Sequence, residues 1–360
     1  MVKNVLFISY DGLTDSLGQA QILPYLIGLS KKGHKIQILS CEKSENFKKN
    51  HTIVSQKCEE ANIGWNYIDY DNSIPVISSF FTVQKLKSEA LLTASTYFEK
   101  EFAKSSAKVV FDFDDAIWLP NVSSGNKALQ LLKNPSKTEA IISSADMVFA
   151  GNDYLANYAS AFCENVKVIP TTIDTTHHKR EKQNTSNRVC IGWTGTETTR
   201  KYLEMIKPIF QKLTSKYGDK IYFKVICDQP WSAEGIGLKN EKWDKEKEIE
   251  QLEEIDIGVM PLTDDQWSRG KCGFKGLQYM AMESATIMSP VGVNKQIINH
   301  GENGYLASTD EDWFEQLSSL IENKELRLQI GKAGRDTVIK KYSVSSTKDL
   351  YLKYLNEIID

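Results

Sequence analysis

The sequence predicts an α/β protein of two domains, each built on a doubly wound parallel sheet, facing one another across a cleft. Three observations lead there. At 360 residues the chain exceeds one ordinary compact domain and suffices for two, each with its own core. Short apolar runs alternate with longer amphipathic stretches from end to end, the rhythm of βα units around parallel sheets. One polar, charged stretch at residues 175–187 interrupts that rhythm. The expected divisions are a first domain over 1–174, a linker over 175–187, a second domain over 188–344 and a final helix over 345–360.

Asn4–Ser9 reads as the first buried strand. A glycine-bearing loop holding Gly12, Asp15 and Gly18 leads into a helix over Gln19–Lys32, where Ile22, Leu23, Leu26 and Leu29 follow the helical period. Gly33 and His34 end it, and Lys35–Ser40 makes the next strand. Strands follow at Trp65–Ile68, Lys108–Phe113, Met147–Ala150 and Val166–Ile169, with helices at Lys49–Ala61, Thr82–Lys104, Asn126–Ser143 and Tyr154–Phe162. Residues 175–187 have almost nothing to bury. Beyond them come strands at Arg188–Trp193, Ile221–Ile226, Ile257–Met260, Thr286–Ser289 and Tyr305–Ala307. The accompanying helices are Thr198–Tyr217, Lys245–Glu254, Gly273–Glu283, Glu311–Glu322, Glu325–Tyr342 and Ser345–Ile359.

A net charge of −3 argues against a nucleic-acid binder, which would carry a basic excess. The six cysteines are scattered, with no Cys-x-x-Cys pair and no histidine at ligand spacing, so they read as thiols in a reducing compartment and no metal site is expected. The first apolar run is too short for a signal segment, and no stretch approaches the ~20 apolar residues of a membrane span. The expectation is a cytoplasmic protein.

The densest cluster of chemistry runs from Trp267 to Met282, at the C-terminal end of an expected strand and the start of a helix. Lys271, Lys275 and Gln278 are spaced four and three apart, as on one helical face. Arg269, Lys271 and the free amides of the helix start, around Gly273 and Phe274, make a site for a diphosphate. Gln278, one turn deeper, is placed to bond a ribose hydroxyl. Glycine turns at Gly292, followed by Asn294, and at Gly301 bring further backbone amides near a ligand. In the first domain the loop from Gly12 to Gly18, followed by Gln19, sits where doubly wound folds present amides to phosphate or substrate. Its spacing is not Gly-x-Gly-x-x-Gly, which removes most support for a nicotinamide oxidoreductase. Asp112, Asp114 and Asp115 follow another strand end; they either bind acceptor hydroxyls or cap the next helix.

With these motifs in order, the chain resembles the retaining glycosyltransferases of family 4, of GT-B fold, over nearly its whole length. The motifs that carry the resemblance are Asp-Gly-Leu-Thr-Asp near the start, Asp-Phe-Asp-Asp-Ala-Ile-Trp from Asp112, Arg-Gly-Lys-Cys-Gly-Phe-Lys from Arg269 and Pro-Val-Gly-Val-Asn from Pro290. The resemblance implies two Rossmann-like domains and transfer of a sugar from a UDP or GDP donor to a glycan or lipid-linked glycan. It implies no metal or other cofactor, a place in bacterial surface polysaccharide or glycoconjugate synthesis, and peripheral contact with the inner membrane face in some relatives. The donor would lie on the second domain, including Gly195 and Thr196, and the acceptor on the first. Two departures stand out. The acidic pair Glu-x7-Glu of many relatives falls here on Gly270 and Gln278, and the basic pair that many place after the second domain's first strand is replaced by the run Gly192-Trp193-Thr194-Gly195. Arg269, Lys271 and Lys275 are therefore expected to supply the leaving-group charge, with Arg269, Lys271 and Asp114 the catalytic candidates and Asp114 or Asp115 orienting the acceptor. A sugar-nucleotide epimerase and an inactive nucleotide-sugar-binding subunit are the alternatives.

Overall fold

The computed structural model describes residues 4–9, 12–15, 18–69, 108–119, 136–182, 184 and 186–359. The helix expected over 82–104 and the first part of that over 126–143 lie outside them. Among the described residues three parallel sheets are formed. The first contains β1 (Asn4–Ser9), β2 (Lys35–Glu42) and β3 (Ile63–Asp69) in that order. The second contains β4 (Val110–Phe113), β5 (Met147–Ala150) and β6 (Val166–Val168). The third has six strands: β7 (Val189–Thr194), β8 (Ile221–Cys227), β9 (Leu238–Lys242), β10 (Ile257–Met260), β11 (Ala285–Met288) and β12 (Tyr305–Leu306).

Across the third sheet the order is β12-β11-β10-β7-β8-β9. This is the doubly wound order, and it reverses between β7 and β10, where Ile191 faces Ile257 and Gly192 faces Gly258. A crevice opens at such a reversal because the connections on its two sides leave for opposite faces of the sheet. Every residue of β10 and β11 is buried, which explains their near-continuous apolar sequence. β9 escapes the sequence reading because Leu-Lys-Asn-Glu-Lys has no apolar run; it is an edge strand, where charged side chains are usual.

The helix expected over Thr198–Tyr217 is interrupted. A short 3-10 turn at Glu197–Thr199 precedes helices Arg200–Met205 and Lys207–Tyr217, and Pro208, which lacks an N–H, opens the second of them. Likewise the helix expected over Glu325–Tyr342 is regular over Lys324–Thr337 and widens into a π-helical turn at Val338–Tyr342. The described residues of the stretch 175–187, expected to have little to bury, are fastened to the second half. Arg180 donates through Nε to the Met282 carbonyl at 2.7 Å and through Nη2 to the Ile255 carbonyl and Ser284 Oγ, and His178 is buried.

The last helix, Val344–Ile359, returns to the first half. Its Tyr351 stacks on Tyr25 at 5.3 Å and leans on Phe149 at 4.8 Å, while Leu352 joins the core around Leu23, Leu26 and Ile38. Beside its start, Ile173 pairs with Ser343, so the two crossings between halves run side by side. Because all strands within each sheet run parallel, their C-terminal ends gather the loops. The loops after β4 and β5 meet the loop after β10, and the site lies at that meeting.

Candidate active site

A cavity of about 300 Å³ opens at the switch point between β7 and β10, lined by Gly195 and Thr196 after β7 and by Phe274, Lys275 and Gln278 of helix Phe274–Ala281. Five of the donor-binding residues expected from the sequence thus share one wall. Tyr279 fixes the helix to the strand, its hydroxyl accepting the Thr194 N–H at 2.7 Å. Gly273 begins the helix in the left-handed region at φ +76°, and no side chain caps the helix start, so its positive dipole end stays available to an anion. Lys275 points from that first turn. Its Nζ lies 3.1 Å from Thr199 Oγ1 and 5.0 Å from the centre of the Trp193 ring. Burial first, then the positive charge of Lys271, pushes the Lys275 amine down to about 8. Trp193, where a basic residue was missing from the sequence pattern, serves as the aromatic bed for this ammonium.

Lys271 departs from the expectation that it shares a helical face with Lys275 and Gln278, since the helix begins only at Phe274. It stands in the preceding loop and reaches across to the first half. Nζ meets Asp115 Oδ1 at 2.9 Å and Oδ2 at 3.1 Å and lies 4.8 Å from the Trp267 ring. Around it the two halves touch closely. Asn152 Nδ2 donates to the Gly270 carbonyl at 3.2 Å and the Lys271 carbonyl at 3.1 Å, and the Cys272 thiol donates to the Asp114 carbonyl at 3.1 Å. Asp114 and Asp115 are thereby set against Lys271 at the boundary. Asp112 lies within electrostatic reach of Asp114 as well as of Tyr25 and Tyr351: lost hydration first, then the Asp114 charge, pushes its carboxyl up to about 7, and burial pushes the Tyr25 phenol up to about 12.

Other sequence candidates hold the frame. Arg269, expected at the diphosphate, turns to Asp264 at 2.7 Å with 48% of its side chain exposed, within electrostatic reach of Tyr154 from the first half. It lines no part of the cavity. Gly292, at φ +53°, lies where a Cβ would sit 2.7 Å from the Arg269 carbonyl, and Asn294 is buried, donating to the Ser289 carbonyl at 3.0 Å. Both shape the turn after β11; neither lines the cavity.

The phosphate reading of the first loop needs correction as well. Glu42, fully buried at the end of β2, accepts the Leu13 N–H at 2.7 Å, the Thr14 N–H at 3.1 Å and the Thr14 hydroxyl. A buried carboxylate therefore already holds the Leu13 and Thr14 amides, which are closed to an anion. Asp15 binds Lys43 at 2.6 Å and Asn46 at 2.5 Å, and Gln19 donates to the Thr14 carbonyl at 3.0 Å. Gly18 packs so closely that a Cβ would meet the Gly12 carbonyl at 2.2 Å. The glycines serve loop packing.

Sequence reasoning missed the far end of the cavity, formed by His178, Trp243, Lys245, Glu248 and Gln251. Nothing in local spacing marks them. His178 sat in the presumed linker, yet its Nε2 lies 3.4 Å from Gln278 Nε2.

This geometry can be set beside known proteins. Residues 190–323 match the glycosyl transferases group 1 family model. That span contains every cavity-lining residue named above except His178. No curated protein matches the sequence. Among solved structures, a glycosyltransferase from Rickettsia africae ESF-5 is 12% identical with a TM-score of 0.66, covering 100% of this chain and 99% of that one. Anabaena HepE in complex with UDP gives a TM-score of 0.66 at 12% identity, covering 99% and 100%. Sucrose-phosphate synthase from Thermosynechococcus elongatus gives 0.60 at 12% identity, covering 100% and 99%. The fold is thus the GT-B arrangement of two α/β halves.

Proposed function

We propose that the protein is a retaining hexosyltransferase of family 4, moving a sugar from a UDP- or GDP-sugar to a hydroxyl of a glycan or lipid-linked glycan in bacterial surface polysaccharide or glycoconjugate synthesis. The observation that carries the reading is the switch-point cavity with Lys275 over Trp193 at an uncapped helix start. The family match over this half and HepE, solved with UDP and with UDP-glucose, support a nucleotide-sugar donor. Departure of the nucleoside diphosphate builds negative charge, and the helix start with Lys275 supplies fixed positive charge where it develops. Lys271, close enough to depress the Lys275 amine, adds a second cation from the boundary. The leaving phosphate takes the acceptor proton as the hydroxyl attacks from the same face, with Asp114 or Asp115 orienting that hydroxyl. Two lysines and the helix dipole do the work for which other enzymes use a metal, so EDTA leaves turnover unchanged. Transfer takes place in the cytoplasm, at the inner membrane face when the acceptor is lipid-linked. No helix among the described residues is long and apolar enough to cross a membrane.

Thermal-shift titration with UDP, GDP, dTDP, ADP and their sugars tests the donor. A ligand at 100 times its dissociation constant stabilises by about 2.7 kcal/mol, and UDP or GDP is expected to shift the melt. No shift with any of them would sink the reading. An inactive binding subunit, suggested by Gln278, would bind yet neither transfer nor hydrolyse donor, and an epimerase would interconvert nucleotide sugars without an acceptor.

A further inference from the structure

Gln278 is where the sequence lacks the carboxylate that would give charge assistance to a ribose contact, and the fold puts a carboxylate beside it. Glu248 opens helix Glu248–Glu253 and is 8% exposed. Its Oε1 accepts Gln278 Nε2 at 3.2 Å and Trp243 Nε1 at 3.3 Å. Its Oε2 accepts Lys245 Nζ at 3.3 Å and stands 4.0 Å from His178 Nε2. Among the described residues lining the cavity it is the one acid. Burying a carboxylate is costly unless partners offset the desolvation. Here an amide, an indole N–H and a half-buried ammonium hold it at the cavity wall. His178 does not neutralise it, because burial holds that imidazole down to about 4 and therefore uncharged near neutrality.

Trp243 completes the arrangement. It is 37% exposed in the charged connection that follows β9, and it lines the same cavity. Its N–H bond to Glu248 at 3.3 Å tethers the indole edge to the carboxylate. An aromatic face beside a fixed carboxylate with one lone pair of Oε2 open matches a nucleoside, which offers a flat base and a ribose O–H donor. Lys275, about one turn before Gln278 on the same helix and lining the same cavity, lies where the diphosphate would follow.

We propose that Glu248 and Trp243 bind the nucleoside of the donor, Glu248 accepting the ribose 2′-hydroxyl at the open lone pair of Oε2 and Trp243 stacking on the base. The assignment rests on the reading of the cavity as a nucleotide site. Gln278 then acts as the positioning residue that aims Glu248.

Calorimetric titration of the full chain with UDP, GDP and their 2′-deoxy counterparts tests it. Wild-type protein should favour the ribonucleotide by about ten-fold, the scale of one charge-assisted hydrogen bond. Glu248→Gln should bring that ratio to within about two-fold, an effect a purely structural role would not produce, since lost packing weakens both nucleotides equally. Trp243→Ala should weaken both by about ten-fold and leave the ratio unchanged, as expected for stacking. A wild-type ratio retained in Glu248→Gln overturns the ribose assignment, and unchanged affinity in Trp243→Ala overturns the base assignment. If Glu248→Gln binds neither nucleotide, Glu248→Asp decides: binding with a reduced ratio supports the proposal and an unaltered ratio overturns it. Failure of wild-type protein to bind UDP or GDP would overturn the cavity reading itself, and the proposal with it.

Discussion

Lys275 carries a charge that is sensitive to pH in the neutral-to-alkaline range. Burial foremost, then Lys271, brings its amine to about 8 from an ordinary 10.5. A bound diphosphate favours the ammonium, so binding raises this pKa, and above pH 8 it must be accompanied by proton uptake. The sign follows directly. Affinity is nearly constant well below pH 8 and weakens as pH rises above it, approaching about ten-fold per pH unit until the pKa of the bound state is reached. Nucleotide titration between pH 7 and 9.5 measures the slope, and Lys275→Arg, whose guanidinium stays charged throughout, should flatten it. A flat profile in the wild type would remove Lys275 from the phosphate site. At this scale the sequence was partly legible. Lys275 and Gln278 are three apart on one helix and could be grouped by periodicity. His178 and Gln278 meet across 100 residues, and Gln278 meets Glu248 across 30, separations that no local pattern encodes.

The turn after β7 shows how an element, more than a single side chain, builds the site. The Gly195 N–H bonds to the Ile226 carbonyl at 3.0 Å, and a Cβ there would lie 2.1 Å from the Trp193 ring and 2.8 Å from Thr199 Oγ1. Those two groups are the ones that hold Lys275. Gly195→Ala must therefore displace the indole or the hydroxyl, an overpacking cost of about 1–3 kcal/mol. The expected result is nucleotide binding weakened by about ten-fold, as one charge-assisted bond is disturbed, with a fall in Tm of only a few degrees, at about 2–4 °C per kcal/mol. Calorimetry and a thermal melt check both; an undisturbed affinity would show that the Lys275 position does not depend on this turn. Elements of this kind were legible where burial writes a long apolar run, as in β10 and β11. They were not legible where an edge strand needs none, as in β9. Pro208 was visible in the sequence, but it did not reveal that the helix on its N-terminal side would stop at Met205.

Over the whole molecule, the decisive feature is a boundary that no one-dimensional pattern could foretell: three loops from two halves meeting at Asn152, Asp115 and Lys271. Asn152 does two separable things. Its Oδ1 accepts the Leu155 N–H at 3.0 Å and caps helix Asp153–Ala159, while its Nδ2 donates across the boundary to the Gly270 and Lys271 carbonyls. Asn152→Asp retains the cap, since aspartate serves that position as well, but replaces the donor with an oxygen that repels both carbonyls. The donor cavity belongs to the other half and should be intact, so nucleotide affinity is expected to stay within about two-fold of wild type, as for separated sites. The proposed mechanism puts the Lys271 loop and the first-half carboxylates in register, and even a 1 Å misplacement can cost about 100-fold, so kcat is expected to fall by at least about ten-fold. Steady-state kinetics with a saturating donor, alongside direct nucleotide titration, separates the two quantities. An equal fall in affinity and kcat would mean that the boundary loop also serves donor binding, and an unchanged kcat would mean that transfer does not depend on how the two halves are joined.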